Sequence, residues 1–248
     1  MANPLEQFEI TQETAINIAG VDASITNASI WMMGIVAAIT FFMLYGMNKS
    51  ALVPGRWQAS VESIYEFVGS MVRENIGDEG RPYFPFVFSL FMFVLTANLA
   101  GLLPFAYTVT SHITVTFAFA IIIFLGTIVI GFARHGLGFL RLFAPAGIPA
   151  AALPLIAILE VISFISRPIT LSVRLFANMT AGHILLKVFA GFVVSMGAAG
   201  GVLAVFSVLP FAMNVALTAL ELLVAVIQAY VFALLTCVYL NDAVHGSH

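Results

Sequence analysis

The chain has 248 residues, of which 61% are hydrophobic and only 8% are charged, and its mean hydropathy is +1.07. Soluble domains carry roughly 25% charged residues, so this chain lacks the polar surface needed to face water on all sides, and the lipid bilayer is its natural solvent. A net charge of −3 argues against nucleic acid as a partner, and the single cysteine, Cys237, excludes an intrachain disulfide or a thiolate metal cluster.

The first 29 residues form a polar segment that is expected outside the membrane. They contain four acidic residues, no Lys or Arg and no apolar core, so they do not have the pattern of a signal peptide. The apolar run that follows, residues 30–47, does not end in a small-residue cleavage pattern. We therefore expect it to remain as a transmembrane helix.

Five apolar stretches reach the length of about 20 residues that a membrane helix requires. The last two are too long for one perpendicular crossing, so each is predicted to be a tilted helix or a helical hairpin. A glycine-rich turn at residues 197–201 separates them. The last stretch has no internal turn signal, which favours one long tilted helix, whereas Pro168 and Gly182 could kink the stretch before it. The five stretches are residues 30–47, 84–106, 112–133, 150–190 and 202–240.

The segment 56–77 differs from these five because charged residues separate apolar residues that recur at helical spacing. This pattern predicts an amphipathic helix that lies on the membrane surface or against the bundle. The predicted fold is therefore an all-α integral membrane protein with five transmembrane helices, the last two long and tilted, and one interfacial helix. Residues 30–248 are expected to form a single membrane domain.

Basic residues in the connections predict the orientation of the chain in the membrane. Six Lys and Arg residues lie in the first loop region and in the loop 134–149, whereas the connections 105–111 and 191–201 contain none. With five crossings, the two basic loops share one side, which is the cytoplasmic or matrix side. The N-terminus is then expected outside and the C-terminus inside.

Four ionisable residues interrupt the apolar runs: Glu160, Arg174, His183 and Glu221. An arginine at the centre of a membrane helix costs about 2.5–3.5 kcal/mol to insert, so such residues are functional candidates. On a helix with about 100° per residue, Glu160, Arg174 and Asn178 share one face and His183 lies nearly opposite. Glu221 and Gln228 belong to a polar stripe on the last helix, and such stripes should face protein or water rather than lipid.

These residue types suit the transfer of protons. Histidine titrates near neutral pH and exchanges protons with a carboxyl group, whereas arginine stays charged and can only attract or block. Arg174 is thus interpreted as an electrostatic gate, with His183 and Glu221 as carriers. A purely structural ion pair between Arg174 and Glu221 is the alternative. The Ser and Thr residues of both stripes could serve only hydrogen bonding between helices, and Arg167 could extend to the cytoplasmic interface.

Three segments resemble the ATP synthase subunit a family. The run RLFANMTAGH, from Arg174 to His183, with PITLSV before it, resembles the family's signature. The element QAYVF, which starts at Gln228 seven residues after Glu221, resembles its last helix, and NLAGLLP at residues 98–104 resembles a third stretch. Glu160 also fits. The resemblance covers roughly residues 30–242, nearly the whole chain.

The resemblance implies the proton-channel stator subunit of a rotary F-type ATP synthase, which is not an enzyme by itself. Two half-channels would connect the two sides of the membrane with a ring of c subunits, whose rotation drives ATP synthesis. The implied partners are the c-ring, subunit b of the peripheral stalk, other synthase subunits and lipid. No cofactor or metal is implied. The implied location is the bacterial inner membrane, with the mitochondrial inner membrane as the alternative.

The resemblance also implies roles for individual residues. Arg174 matches the family's essential arginine, which faces the carboxylates of the c-ring. His183 and Glu221 match an acid/base pair of the outer half-channel, in the order His then Glu that mitochondrial and related bacterial members share; many other bacterial members carry Glu then His. Asn178 and Gln228 match polar residues along the proton path, and Glu160 matches a group near the cytoplasmic exit.

Two other classes of membrane protein compete with this interpretation. A secondary transporter or cation channel would also carry charges inside the membrane, but such proteins usually show internal repeats and broken helices, which this sequence lacks. A membrane enzyme or redox protein would need a motif such as HExxH or a Cys/His cluster. His183 is the only histidine deep in a predicted helix, and a bis-histidine haem requires two.

Overall fold

The computed structural model describes residues 12–14, 17–18, 21–22, 25–48, 53–103, 106–143 and 152–246. Five helical stretches within these residues are long and apolar enough to cross a membrane, which confirms the predicted all-α membrane fold. Some residues behind the predictions above lie outside the described residues. They are Glu6 and Glu9 of the polar N-terminal segment, Lys49 of the first basic loop and Pro104 of the NLAGLLP stretch. The five stretches are Asn27–Met47, Asp78–Gly101, Ile113–Leu140, Leu153–Ala199 and Gly201–His245.

Four short strands precede the first helix, and hydropathy patterning did not predict them. They are β1 (Gln12–Thr14), β2 (Asn17–Ile18), β3 (Val21–Asp22) and β4 (Ile25–Thr26). The strand β1 pairs with β4, and β2 pairs with β3, both in antiparallel orientation. Runs of two or three residues are too short to produce a recognisable alternation of apolar and polar side chains.

Helix α1 (Asn27–Met47) begins three residues earlier than predicted. The hydroxyl of Thr26 accepts a hydrogen bond from the backbone N–H of Ser29 at 3.4 Å. A threonine in this position caps the first turn of a helix by satisfying one of its unpaired N–H groups. The cap, rather than the onset of apolar residues, therefore sets where the helix starts.

Helix α2 (Arg56–Ile76) is the predicted amphipathic helix. Its apolar stripe is buried, whereas the charged side chains on its other face are exposed. A 3₁₀ turn, Asp78–Tyr83, follows and leads directly into α3. The location of α2 at the membrane surface stays a prediction. The buried stripe comprises Val61, Val68, Met71, Val72 and Ile76.

Helices α3 (Phe84–Gly101) and α4 (Ile113–His135) are joined by a connection that contains a 3₁₀ turn, Val109–Ser111. We predicted that α3 would continue to residue 106, but it ends at Gly101. Glycine lowers the stability of a helix interior, and a proline three residues further on cannot continue the helix. After α4, the 3₁₀ stretch Gly136–Phe143 extends this part of the chain.

Helix α5 (Leu153–Ala199) is one continuous helix of 47 residues, although it contains Pro168. The predicted turn is confirmed, because Gly200 and Gly201 adopt positive φ angles of 70° and 58°, which glycine tolerates best. After it come α6 (Gly201–Phe206) and α7 (Val208–His245). The break between them follows from Pro210, which cannot donate to the carbonyl of Phe206 four residues earlier.

The lengths of α5 and α7 exceed what an upright crossing requires. At 1.5 Å per residue, 47 and 38 residues correspond to roughly 70 Å and 57 Å, against about 30 Å for the hydrocarbon core. Helix α5 is continuous and is therefore not a hairpin. The tilt of both helices and the single membrane domain stay predictions.

The contacts divide the chain into two compact units. The first comprises the described parts of Met1–Ile39, Phe93–His112 and Leu175–Ala229. The second comprises those of Thr40–Met92, Ile113–Arg174 and Tyr230–His248. The interior of the second unit is mostly apolar and includes Phe232 and Cys237 with no exposed surface. The interior of the first unit contains several polar side chains, which are the subject of the next section.

Candidate functional site

The centre of the first unit contains a buried histidine and a buried glutamate. His183 of α5 is 7% exposed and Glu221 of α7 is 5% exposed, and the His183 Nδ1 atom lies 3.3 Å from the Glu221 Oε1 atom. Neither carboxyl oxygen has a hydrogen-bond partner among the described residues. A buried carboxylate is costly unless it is paired, and the His183 ring lies within ion-pair distance of Glu221.

A glycine allows the two helices to approach at this point. A Cβ atom placed on Gly182 would lie 2.7 Å from the Glu221 Oε1 atom, which is too close for any other residue without a local shift. Beside the pair lies a cavity of about 80 Å³. A water molecule requires roughly 10–15 Å³ on this measure, so the cavity has room for several. Its lining consists of Asn178, Gly182, Leu185, Leu217, Leu220, Glu221 and Val224.

Two further polar contacts extend the site along α7. The Asn178 amide donates a hydrogen bond to the Gln228 Oε1 atom at 2.9 Å. Asn98 of α3, which is fully buried, donates to the backbone carbonyl of Ala225 at 3.3 Å. The structure thus brings together four of the residues predicted from the sequence, as the pairs His183–Glu221 and Asn178–Gln228.

Sequence reasoning missed the connection between α3 and α4, which closes the site from one side. The hydroxyl of Thr108 lies 3.0 Å from the His183 Nε2 atom, and the Thr180 hydroxyl donates to the Ser111 carbonyl at 3.4 Å. The face of α5 that carries Thr180 and His183 therefore packs against this connection. Its signal in the sequence is the run TVTSH, residues 108–112, which is rich in hydroxyl groups and free of Lys and Arg.

The same connection contains a second aromatic and histidine pair. The Tyr107 hydroxyl is hydrogen-bonded to the His112 Nε2 atom, and the two rings stack with centroids 5.1 Å apart. Burial raises the pKa of Tyr107 to about 12 and lowers the pKa of His112. His112 is therefore neutral at neutral pH.

The other two predicted residues, Glu160 and Arg174, belong to the second unit. Glu160 is half-buried and Arg174 is exposed. Tyr239 lies within electrostatic range of Arg174, and no acidic side chain among the described residues forms an ion pair with this arginine. The carboxyl group of Glu221 faces His183, and the ion pair between Arg174 and Glu221 that the sequence left open stays an alternative.

Other polar residues in the long helices have defined partners. The Arg167 guanidinium donates to the Asp242 Oδ2 atom at 2.7 Å, and its location at the cytoplasmic interface stays a prediction. The hydroxyls of three threonines in the polar stripes bond to carbonyls of their own helix rather than to a neighbouring helix. Such bonds satisfy a hydroxyl group without a partner helix. The three are Thr170, Thr218 and Thr236.

Together the fold and the site define a class: a multi-pass helical membrane protein whose buried acid/base groups suit proton transfer. Across the described ranges, no group of three or more His, Cys, Asp or Glu side chains is placed to hold a metal ion. A family model for the ATP synthase A chain matches residues 28–241. The chain belongs to this family.

Curated relatives match over the full length. ATP synthase subunit a of Agrobacterium fabrum (strain C58) is 59% identical and covers 100% of both chains. The protein of the same name from Chelativorans sp. (strain BNC1) is 58% identical over 99% of both, and that of Parvibaculum lavamentivorans is 56% identical over 99% of this chain and 95% of the relative. These relatives are alphaproteobacterial, and the chain is a multi-pass protein of the bacterial inner membrane.

Proposed function

We propose that protons cross this chain through the His183–Glu221 pair, with Arg174 as the electrostatic gate. Family membership makes the chain the proton-translocating stator subunit of the ATP synthase membrane sector, a component of the complex rather than a catalyst by itself. The competing class, a secondary transporter or cation channel, is not favoured. One observation carries the proposal: a buried imidazole and a buried carboxyl group lie 3.3 Å apart beside a cavity that Asn178 and Glu221 help to line.

The pair has the properties of a proton relay. A charge buried without compensation is unfavourable, so the two groups favour states in which their combined charge is zero. Such states differ only in which group holds the proton, which allows it to move between them at a small cost in free energy. Asn178 and Gln228 offer hydrogen-bonding groups next to the pair, and the Gln228 Nε2 atom has no described partner.

The partner of Arg174 belongs to another subunit in this proposal. An exposed arginine in a membrane helix needs a compensating group, and the carboxylate of a c subunit has the required charge. The guanidinium cannot release its proton, so it attracts the passing carboxylate and blocks direct proton flow between two half-channels. Glu160, which lies 14 residues before Arg174 on α5, is assigned to the cytoplasmic exit.

The remaining assignments concern the assembly. We propose the c-ring and subunit b as direct partners within the ATP synthase complex. The N-terminus is proposed to lie outside and the C-terminus in the cytoplasm, because the basic residues concentrate in the connections of one side. This orientation places His183 and Glu221 toward the outside and Glu160 toward the cytoplasm.

The test of the gate is ATP-driven proton pumping in membrane vesicles that carry Arg174→Ala. Assembly is checked by blotting for the partner subunits. We expect a complex that assembles and hydrolyses ATP but does not pump, because no positive charge then separates the half-channels. Arg56→Ala, which removes an exposed arginine at the start of α2, serves as the matched control and should pump normally. Pumping that survives in Arg174→Ala would make Arg174 a structural residue.

A further inference from the structure

The His183 ring is held from two sides, and only one of its partners belongs to the pair described above. Its Nδ1 atom faces Glu221 at 3.3 Å, and its Nε2 atom faces the Thr108 hydroxyl at 3.0 Å. A neutral imidazole has one nitrogen that donates and one that accepts. A hydroxyl can play either part, so the partner at Nδ1 decides which nitrogen carries the proton of the neutral ring.

The exchange of a proton with Glu221 requires one of the two tautomers. When Nδ1 gives its proton to the carboxylate, the neutral ring that remains carries its proton on Nε2, and Nδ1 is free to take the proton back. The opposite tautomer already has a proton on Nδ1, so it can neither accept one from Glu221 there nor donate one without becoming an anion. A hydroxyl accepts as well as donates, so the Thr108 oxygen accepts from Nε2–H in both states of the pair, and only the Nδ1 proton moves.

The backbone fixes Thr108 firmly enough for this role. Thr108 is 1% exposed, and its carbonyl accepts a hydrogen bond from the Ser111 hydroxyl at 2.6 Å. Its methyl group lies against Gly101, where an added Cβ atom would be 2.7 Å from the Thr108 Cγ2 atom. The connection between α3 and α4 is therefore anchored on both sides of the residue.

We propose that Thr108 is a positioning residue of the proton path, whose hydroxyl accepts from the Nε2–H group of His183 and holds the ring with Nδ1 facing Glu221. This inference rests on the proposed relay role of His183 and Glu221. Thr108 does not itself carry the proton in this scheme. It keeps the imidazole in the orientation from which a proton passes to or from the carboxyl group.

The neighbouring residue Thr110 provides a matched control. It lies in the same connection, is also 1% exposed, and its hydroxyl has no hydrogen-bond partner among the described residues. Thr108→Val and Thr110→Val remove the same atom from two equally buried sites. Thr108→Ser keeps the hydroxyl and removes only the methyl group.

The experiment measures ATP-driven proton pumping by the whole complex in inverted membrane vesicles. We expect Thr108→Val to lower pumping by about 3- to 10-fold, the effect of one hydrogen bond, while Thr108→Ser and Thr110→Val stay within about twofold of the parent because the bond is intact in both. Equal loss in Thr108→Ser and Thr108→Val, or equal pumping by Thr108→Val and Thr110→Val, overturns the inference. His183→Gln is measured alongside, because normal pumping in that variant would instead overturn the relay.

A second measurement uses the parent complex and does not depend on whether any Thr108 variant folds. The ¹⁵N chemical shifts of the His183 ring, recorded by solid-state NMR at pH 8, report which nitrogen carries the proton in the neutral ring. This pH lies above the ordinary histidine pKa of about 6.5. We expect protonated Nε2 and unprotonated Nδ1. A neutral ring that carries its proton on Nδ1 overturns the inference.

Discussion

Glu221 is the residue whose environment departs most from what its chemistry prefers. It is 5% exposed, neither of its carboxyl oxygens has a hydrogen-bond partner among the described residues, and Gly182 contributes no side chain to shield it. A carboxyl group that served only structure would be expected to have its hydrogen bonds satisfied. The unsatisfied oxygens, next to a cavity and a histidine, are better explained by proton transfer.

Replacement of Glu221 by glutamine should slow proton uptake and leave assembly intact. Glutamine preserves the shape of the side chain, so the close approach to Gly182 is unchanged, but it cannot bind or release a proton near neutral pH. Loss of a positioned proton carrier typically lowers a rate by about 10²–10⁴-fold, so we expect a decrease on the order of 100-fold. The measurement is proton flux into vesicles after a pH jump, with assembly followed by blotting.

The control for this prediction is Glu66→Gln on α2, where the same chemical change falls on an exposed side chain. Its proton flux should equal that of the parent. Flux at the parental rate in Glu221→Gln as well would show that the buried carboxyl group does not carry protons. The unsatisfied oxygens would then require another explanation.

A cluster around Arg167 joins α5 to the end of α7 in the second unit. This side chain of α5 pairs with Asp242 of α7 at 2.7 Å, and its guanidinium lies 5.4 Å from the Phe164 ring centroid and 5.1 Å from that of Tyr239. The paired side chains are 23% and 31% exposed. Partial burial and two aromatic neighbours make this pair stronger than an ordinary surface ion pair.

Removal of the charge at position 242 should destabilise the protein measurably. In Asp242→Asn the guanidinium loses its charged acceptor, which we expect to cost about 1–3 kcal/mol, the range for a hydrogen bond to a charged group. The purified complex should therefore release this chain at a lower temperature when it is heated in detergent. The double substitution Arg167→Asp with Asp242→Arg, which exchanges the two charges, should restore part of the lost stability.

A second ion pair in the same unit serves as the control. Arg81 and Asp78 are 3.1 Å apart, but their side chains are 79% and 83% exposed, and such pairs contribute about 0–1 kcal/mol. We expect the Asp78→Asn complex to dissociate at the same temperature as the parent complex. An equal effect of the two substitutions would mean that the Arg167 cluster contributes no more than an exposed pair.

The sequence predicts which elements exist better than where they end. Hydropathy identifies all five membrane helices because each is a long apolar run, and the glycine turn before α6 is equally clear. The ends depend on single residues: Thr26 caps α1 earlier than expected, and Pro210 separates α6 from α7. The connection between α3 and α4 could not be predicted to enter the site, since it has no periodicity and its burial depends on tertiary contacts.

The candidate site was predicted in part, for reasons that differ between residues. Ionisable groups in apolar runs are conspicuous, so Glu160, Arg174, His183 and Glu221 are found from the sequence alone, and the resemblance adds Asn178 and Gln228. Thr108 is not found, because threonine is inexpensive to bury and common in membrane proteins. Only its distance from the His183 ring distinguishes it from other buried threonines.

For the molecule as a whole, contacts within the second unit support the proposed topology. Arg134, in the last turn of α4, pairs with Glu79 ahead of α3. The next residue, His135, lies 3.0 Å from the carbonyl of Val244 near the end of α7. The start of α3, the end of α4 and the end of α7 therefore meet on one side. That side carries the basic residues of the connections, so we predict that it is the cytoplasmic side.

Cysteine labelling in cells tests this orientation. Five spans place the two termini on opposite sides of the membrane, so a cysteine introduced as Glu6→Cys should react with an impermeant maleimide in spheroplasts, whose outer surface is accessible. His245→Cys, at an exposed position near the end of α7, should react only in inverted vesicles. The native Cys237 is fully buried and should stay unlabelled in both preparations, which makes the parent chain the control. Labelling of Glu6→Cys in inverted vesicles alone would reverse the orientation, and the outer half-channel would then have to be assigned to the opposite ends of α5 and α7.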